Sequence, residues 1–189
     1  YRTGASRSGE IVAQQVEILG DSGAYAYLSA LVLLYSTVTA VGPYRVPNVD
    51  VEAKAVYTNN PNSGAMRGFG SNQAQFAMEG AMDMLAEKVG VDGWEIRYRN
   101  ALDPGDAFAT GQIMRESVRG MKASLEAVKD IYAGAKYKGI ACGIKSTGLG
   151  NGTVEGGYIK IRVVEGPRLE ILNGYTEMGQ GIFTTTLQV

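Results

Sequence analysis

Two glycine-rich segments contain the residues of this chain best suited to bind a ligand. Residues 63–73 join a predicted strand to the most regular predicted helix, and residues 175–181 again lie between a strand and a helix. The first N–H groups of a helix have no partner within the helix, and its dipole is positive at that end, so both segments favour a phosphate or an oxo ligand. Gln180 could also hydrogen-bond a ligand through its amide.

Each segment has a structural alternative that spacing alone leaves open. The first could be a tight strand-to-helix turn in which Arg67 forms a structural salt bridge. The second could be an ordinary helix start capped by Thr176 or Gln180, and the frequency of capped helix starts favours this interpretation. A third glycine-rich segment, residues 147–153, has no helix after it and indicates a flexible loop.

The composition excludes several classes of function. The 189 residues include 18 basic and 19 acidic residues without a basic block, so neither a nucleic-acid partner nor an electrostatic membrane anchor is predicted. The longest apolar run, residues 30–41, is too short and too polar to span a membrane. The absence of histidine excludes histidine bases and most zinc sites within this chain. A single cysteine, Cys142, fits a reducing compartment, and we expect the cytoplasm.

The hydropathy pattern predicts a mixed α+β fold. Alternating or apolar runs predict strands over residues 10–19, 24–28, 49–58, 140–147, 158–164 and 169–173, with a turn at 20–23. Apolar residues at spacings of three and four predict helices over residues 30–40, 72–89, 94–102, 119–132 and 182–189. Tyr25, Tyr27 and Tyr35 are interpreted from the pattern alone as core or interface aromatics, and Cys142 as an inert packed thiol within a strand.

Four ordered segments resemble one known family. They are Ala65–Gly70 with Gln73, Arg97 and Asn100 followed by Gly105 and Asp106, Thr176–Gly181, and Tyr44–Val49. Together they resemble the large subunit of the molybdenum hydroxylases, the xanthine dehydrogenase and aldehyde oxidase family. The resemblance implies an internal fragment covering parts of two consecutive molybdopterin-binding domains. Residues 1–135 would be the C-terminal part of the first domain, and residues 136–189 the start of the second.

The resemblance also implies roles for particular residues. Six would contact the cofactor: Met66, Arg67, Gly68, Gly179, Gln180 and Gly181. Phe69 would form the aromatic wall of the substrate pocket. Tyr35 stands where xanthine-oxidising members carry a substrate-stabilising arginine, which is more similar to the aldehyde-oxidising members. No residue of this chain would ligate the metal directly, and the catalytic general-base glutamate would lie downstream of it.

The chemistry implied is hydroxylation of an aldehyde or N-heterocycle with oxygen derived from water. The cofactor would be molybdopterin, and electrons would leave through iron–sulfur clusters and FAD on other domains or subunits. Those domains and the rest of the large subunit would be the partners, and the isolated chain would be inactive. Two alternatives stay open: a phosphate- or nucleotide-binding module, and a non-catalytic structural half of a split subunit.

Overall fold

The structure is a computed structural model that describes residues 1–146, 148 and 154–189. It divides into two compact units, Tyr1–Lys145 and Ser146–Val189. The first contains strands β1 (Arg2–Ala5), β2 (Ile11–Gly23) and β3 (Asn48–Tyr57), helices α1 (Ser29–Val38), α2 (Ser71–Val89), α3 (Gly93–Asn100) and α4 (Gly120–Gly134), and a 3₁₀ turn, Glu116–Arg119. The second contains β4 (Ile159–Val164), β5 (Arg168–Asn173) and α5 (Ile182–Gln188). The predicted α+β class is confirmed.

The sheet of the first unit has the order β1-β2-β3. Strands β1 and β2 are antiparallel, whereas β2 and β3 are parallel. A parallel pair needs a crossover connection, and α1 lies in the segment that provides it. Strand β2 continues through the predicted turn because Asp21 and Gly23 pair with Val56 and Tyr57. The predicted strand at residues 24–28 is therefore wrong, since β2 itself makes the pairing and these residues lead into α1.

Helix α2 forms the centre of the core, as its periodicity predicts. Met78, Met82 and Leu85 are buried at spacings of four and three, and they belong to one apolar cluster with Tyr44 and Ile96. The cluster joins α2 to α3 and to the segment between α1 and β3. The core therefore holds the start of α2, and the loop before it, in a fixed place.

A buried ion pair connects α2 with α3. The Arg97 side chain is fully buried, and its Nε lies 2.7 Å from Oε2 of Glu79. Its Nη2 lies 2.8 Å from Oδ1 of Asp83. The hydroxyl of buried Tyr44 donates to Glu79 as well. Burial of the phenol, followed by the charge of Glu79, raises the pKa of Tyr44 well above its ordinary value. Arg97, part of a segment that carries the family resemblance, thus has a structural role: its ion pairs join α3 to α2.

Asn100, from the same segment, has a structural role too. Its Oδ1 accepts a hydrogen bond from Ile11 N at 2.8 Å, and its Nδ2 donates to Gly9 O at 2.9 Å. The amide therefore fixes the connection between β1 and β2 to the end of α3.

Residues 140–146 lack strand structure, so the strand predicted there is wrong. Their N–H groups bind side chains of α2: Cys142 N donates to Glu79 Oε2 at 2.9 Å, and Ile144 N donates to Gln75 Oε1 at 3.1 Å. The apolar pattern reflects packing against a helix. Burial raises the pKa of Cys142 to about 11, so this thiol stays protonated at neutral pH. The predicted domain boundary between residues 135 and 136 stays a prediction.

The second unit consists of a hairpin and a short helix. Strands β4 and β5 are antiparallel, with Val164 opposite Arg168 across the predicted Gly166–Pro167 turn. Helix α5 follows the second glycine-rich segment. The third glycine-rich segment lies outside the described residues, except for Gly148. Within the described ranges, no helix is long and apolar enough to cross a membrane.

Candidate functional site

The first candidate site is the loop between β3 and α2, residues 64–70, called the first loop below. Its end is a tight turn in which Phe69 N donates to Met66 O at 2.8 Å and Ser71 N to Gly68 O at 3.1 Å. Gly68 and Gly70 have φ angles of 103° and 89°. Glycine occupies this left-handed region without the steric cost that a side chain would meet, so the sequence pattern permits the turn.

Helix α1 packs against the end of the first loop at Gly70. Ser36 Oγ donates to the carbonyl of Gly70 at 3.0 Å. A Cβ added at Gly70 would lie 2.1 Å from the carbonyl oxygen of Val32 and 2.5 Å from Ser36 Oγ. Gly70 is therefore required both by its backbone angle and by the close approach of α1.

Phe69 is held in an unfavourable conformation by its surroundings. Among the described residues it is the one non-glycine with a positive φ, 49°. Such a conformation costs about 1–2 kcal/mol for an ordinary L-residue, so tertiary contacts must hold it. The Phe69 ring meets the ring of Tyr35 edge to face, with 5.2 Å between centroids and 80° between planes. The structure thus brings together the two residues predicted to contact substrate.

The first loop presents backbone donors that nothing in the described part of the chain uses. The N–H groups of Met66, Arg67 and Gly68 donate to no acceptor there, and neither do those of Asn72 and Gln73 in the first turn of α2. Such a donor set fits an oxo, phosphate or other oxygen-rich group. This arrangement supports the predicted ligand site.

Two further observations concern the setting of these donors. The hydroxyl of Ser71, at the start of α2, is buried and has no hydrogen-bond partner among the described residues. Asn72 Nδ2 donates to the carbonyl of Arg67 at 2.9 Å and so holds the loop in shape.

The Arg67 side chain is exposed, and no acidic group in the described ranges forms an ion pair with it. The alternative of a structural salt bridge at Arg67 is therefore wrong.

Lys145 is a neighbour of this site that sequence reasoning missed. Its Nζ lies 4.8 Å from the centroid of the Tyr35 ring. Tyr27 is another, because a Cβ at Gly64 would lie 3.5 Å from its ring. Tyr25 and Tyr27 are 73% and 72% exposed, so the core half of their prediction is wrong, and a place at an interface stays a prediction. No spacing rule links these residues, since chain segments distant in sequence bring them together.

The second candidate site is the loop Tyr175–Gly181, called the second loop below. The carboxylate of Glu177 accepts hydrogen bonds from the N–H groups of Gly179 at 2.7 Å, Gly181 at 3.1 Å and Ile182 at 2.7 Å. These bonds, that of Gly181 first, hold the pKa of Glu177 below its ordinary value. The start of α5 is therefore capped, and the capping residue is Glu177 instead of the predicted Thr176 or Gln180.

Gln180 uses its amide within the second loop. Its Oε1 accepts from Met178 N at 2.6 Å, and its Nε2 donates to Thr176 O at 2.7 Å. Gly179 and Gly181 flank it with φ angles of 92° and 77°. A ligand that took both amide atoms of Gln180 would have to replace these bonds. The cofactor role of these three residues stays a prediction.

Two grooves of the first unit lie away from the first loop. One, of about 910 Å³, is formed by α4 and residues 137–143. The other, of about 1010 Å³, follows α2 past Phe76 and Met84. Neither groove is lined by Met66, Arg67 or Phe69, so neither is part of the first candidate site.

Comparison with known proteins places these loops in a family. A model described as the molybdopterin cofactor-binding domain matches residues 1–101. The nicotinate dehydrogenase large molybdopterin subunit of Eubacterium barkeri is 49% identical over 129 residues, which are 68% of this chain and 30% of that protein. A protein of Bacillus subtilis, named as one subunit of a probable xanthine dehydrogenase, is 33% identical over 198 residues, covering 100% of this chain and 26% of the relative.

A solved structure agrees with these matches. The aldehyde oxidoreductase of Desulfovibrio gigas superposes with a TM-score of 0.64 at 34% identity, over 69% of this chain and 14% of that one. The chain thus spans less than a third of the length of each of these three proteins. It belongs to the molybdenum hydroxylase family and contains a part of that family's molybdopterin cofactor-binding domain.

Proposed function

We propose that this chain forms part of the cofactor site and one wall of the substrate pocket in a molybdenum hydroxylase. The whole enzyme would hydroxylate an aldehyde or an N-heterocycle with oxygen derived from water. The observation that carries the proposal is the first loop, where unused N–H donors adjoin a strained phenylalanine. When bound, the molybdopterin cofactor supplies the two-electron redox chemistry of the hydroxylation.

The donors of the first loop have the chemistry that the cofactor requires. N–H groups of Met66, Arg67 and Gly68 would hydrogen-bond its oxygen-rich groups, and the start of α2 would add the favourable end of the helix dipole. The side chain of Arg67 would add a positive charge. In the second loop, residues 179–181 would approach the cofactor closely, with Gln180 exchanging bonds within its own loop for bonds to the ligand.

The aromatic pair suits a flat substrate. The ring of Phe69 would stack on an aldehyde or heterocycle, and the T-shaped contact with Tyr35 would restrict the orientation of the Phe69 ring. Proteins named nicotinate dehydrogenase and aldehyde oxidoreductase are among the relatives, which supports these two substrate classes. Because Tyr35 carries no charge that would stabilise a purine anion, we expect purines to be poor substrates.

Partners follow from the same assignment. Several relatives are named as subunits, including the gamma subunit of a dehydrogenase complex from Paenarthrobacter nicotinovorans. We propose that the rest of the large subunit completes the pocket, and that iron–sulfur and FAD domains or subunits accept the electrons. We place the assembly in the cytoplasm. Neither the nucleotide-binding module nor the non-catalytic structural half is favoured by the relatives.

Metal and pterin analysis of the intact protein tests the proposal. Elemental analysis and pterin fluorescence after oxidation should give roughly one molybdenum and one pterin per copy of this chain. Arg67→Ala should lower both contents, because it removes the charge beside the proposed site. Arg7→Ala is the matched control: it removes another exposed arginine, outside both loops. Absence of both components from protein made in a molybdenum-competent host would contradict the proposal.

A further inference from the structure

We propose that Lys145 is a specificity-determining residue that selects flat substrates bearing a carboxylate. This inference rests on the proposed function, because it assigns a substrate class to the same pocket. It starts from three side chains in a row: the ring of Phe69 meets that of Tyr35, and the ammonium of Lys145 lies against Tyr35.

The geometry places a cation one aromatic ring away from the proposed stacking surface. Phe69 and Tyr35 are 5.2 Å apart between centroids, and Lys145 Nζ is 4.8 Å from the Tyr35 centroid. A six-membered ring that contacts Phe69 would lie about one ring's width from Nζ, which is within reach of a substituent on that ring. An ammonium donates three hydrogen bonds and accepts none, so a carboxylate is the substituent that it favours.

The chain segment that carries Lys145 is held in place in the free protein, and its ammonium contacts the Tyr35 ring. Lys145 makes at least one further interaction besides the contact with Tyr35. The segment that carries it is fixed to α2, because Ile144 N donates to Gln75. A charge held in place before binding loses less side-chain entropy when the ligand arrives than a freely moving lysine would.

The loss of carboxylate affinity on removing the charge of Lys145 distinguishes a pocket residue from a surface lysine. An exposed ion pair is worth up to about 1 kcal/mol, or roughly fivefold in affinity. A charge-assisted bond shielded from water is stronger, corresponding to roughly 10- to 100-fold. Lys145 is exposed in this chain, which spans less than a third of its relatives. The remaining part of the subunit would close the pocket, and the larger effect is therefore expected.

Titration calorimetry on the intact, molybdenum-containing protein provides the test. The probes are pyridine-3-carboxylate and pyridine-3-carboxamide, which share a ring and differ in charge. The wild-type protein should bind the carboxylate more tightly. Lys145→Met should weaken carboxylate binding by roughly 10- to 100-fold and carboxamide binding by less than about threefold. Lys145→Arg, which keeps the charge, should retain most of the preference for the carboxylate.

Three results would overturn the inference. In the first, the wild-type protein shows no preference for the carboxylate, or binds neither probe. In the second, Lys145→Met weakens both probes equally, which would make Lys145 a support for Tyr35 alone. In the third, the loss for the carboxylate is below about fivefold, as for an exposed ion pair. Failure of the proposed function is a separate result, because it appears as missing molybdenum and pterin in the wild-type protein.

Discussion

The two glycine-rich loops share a local pattern and differ in what their helix starts do. In each, one residue stands between two left-handed glycines directly before a helix: Phe69 between Gly68 and Gly70, and Gln180 between Gly179 and Gly181. In the first loop the N–H groups of residues 66–68 donate to no acceptor in the described part of the chain. In the second, the carboxylate of Glu177 accepts hydrogen bonds from the neighbouring N–H groups.

The same backbone motif can therefore leave its N–H donors available to a ligand, or bind them to a carboxylate of its own loop. The first loop is shaped by its own backbone turn, by Asn72 and by contact with α1 through Ser36, and none of these uses the N–H groups of residues 66–68. The second loop gains its shape from its own side chains, Glu177 and Gln180. An anion can approach the first loop without reorganising it, whereas at the second loop it must displace a carboxylate that carries the same charge.

The largest expected effect concerns the support from α1. Gly70→Ala should destabilise the protein by about 3 kcal/mol, because it combines a left-handed alanine with a collision against Val32. Gly181→Ala is the matched control, since a Cβ there meets nothing within 4 Å. It should cost about 1 kcal/mol, from backbone conformation alone. Urea denaturation of the intact protein measures both changes. An equal loss of unfolding free energy in the two variants would mean that the close approach of α1 does not constrain the first loop.

An intermediate effect concerns the residue between the two glycines. Phe69→Ala should raise the KM for aromatic substrates roughly tenfold while molybdenum is retained, because a stacking surface is lost. Gln180→Ala should instead lower the molybdenum content, since it removes both the bonds that shape the second loop and the proposed bond to the cofactor. Steady-state kinetics and elemental analysis of each variant separate the two roles. An unchanged KM across several aromatic substrates would remove Phe69 from the pocket.

The smallest effect concerns the carboxylate cap. The pKa of Glu177 is lowered in the folded protein, so the cap stabilises the loop at pH values above the ordinary 4.5 and is lost as the pH falls through the lowered pKa. Protection of the Gly179, Gly181 and Ile182 amides against hydrogen exchange, corrected for intrinsic rates, should be constant from neutral pH to about 4.5 and decline below it. Glu177→Gln should reduce protection a few-fold at neutral pH and remove this acid transition. A transition that persists in Glu177→Gln would assign it to another group.

The helices were the most predictable part of the fold. The spacing of Met78, Met82 and Leu85 predicts α2 because one face of a helix must be apolar to pack on a core. The strands predicted over residues 24–28 and 140–147 are wrong in the described residues, because a short apolar run has the same pattern whether it pairs in a sheet or packs against a helix. Partners distant in sequence decide which structure forms. Strand β3 pairs with the end of β2, and the side chains of Gln75 and Glu79 bind the N–H groups of residues 140–146.

The sequence by itself determined the two glycine loops, the helices that follow them and the family to which they belong, because glycine spacing and apolar periodicity are local properties. Only the tertiary structure decided which helix start has free N–H groups and which is capped. It also decided that Arg97 and Asn100 have structural roles, through an ion pair and hydrogen bonds, and that Lys145 lies against Tyr35. These outcomes depend on which distant side chains reach a given N–H group, charge or ring. Distances of a few ångströms between segments remote in the chain set that result, and sequence spacing does not encode them.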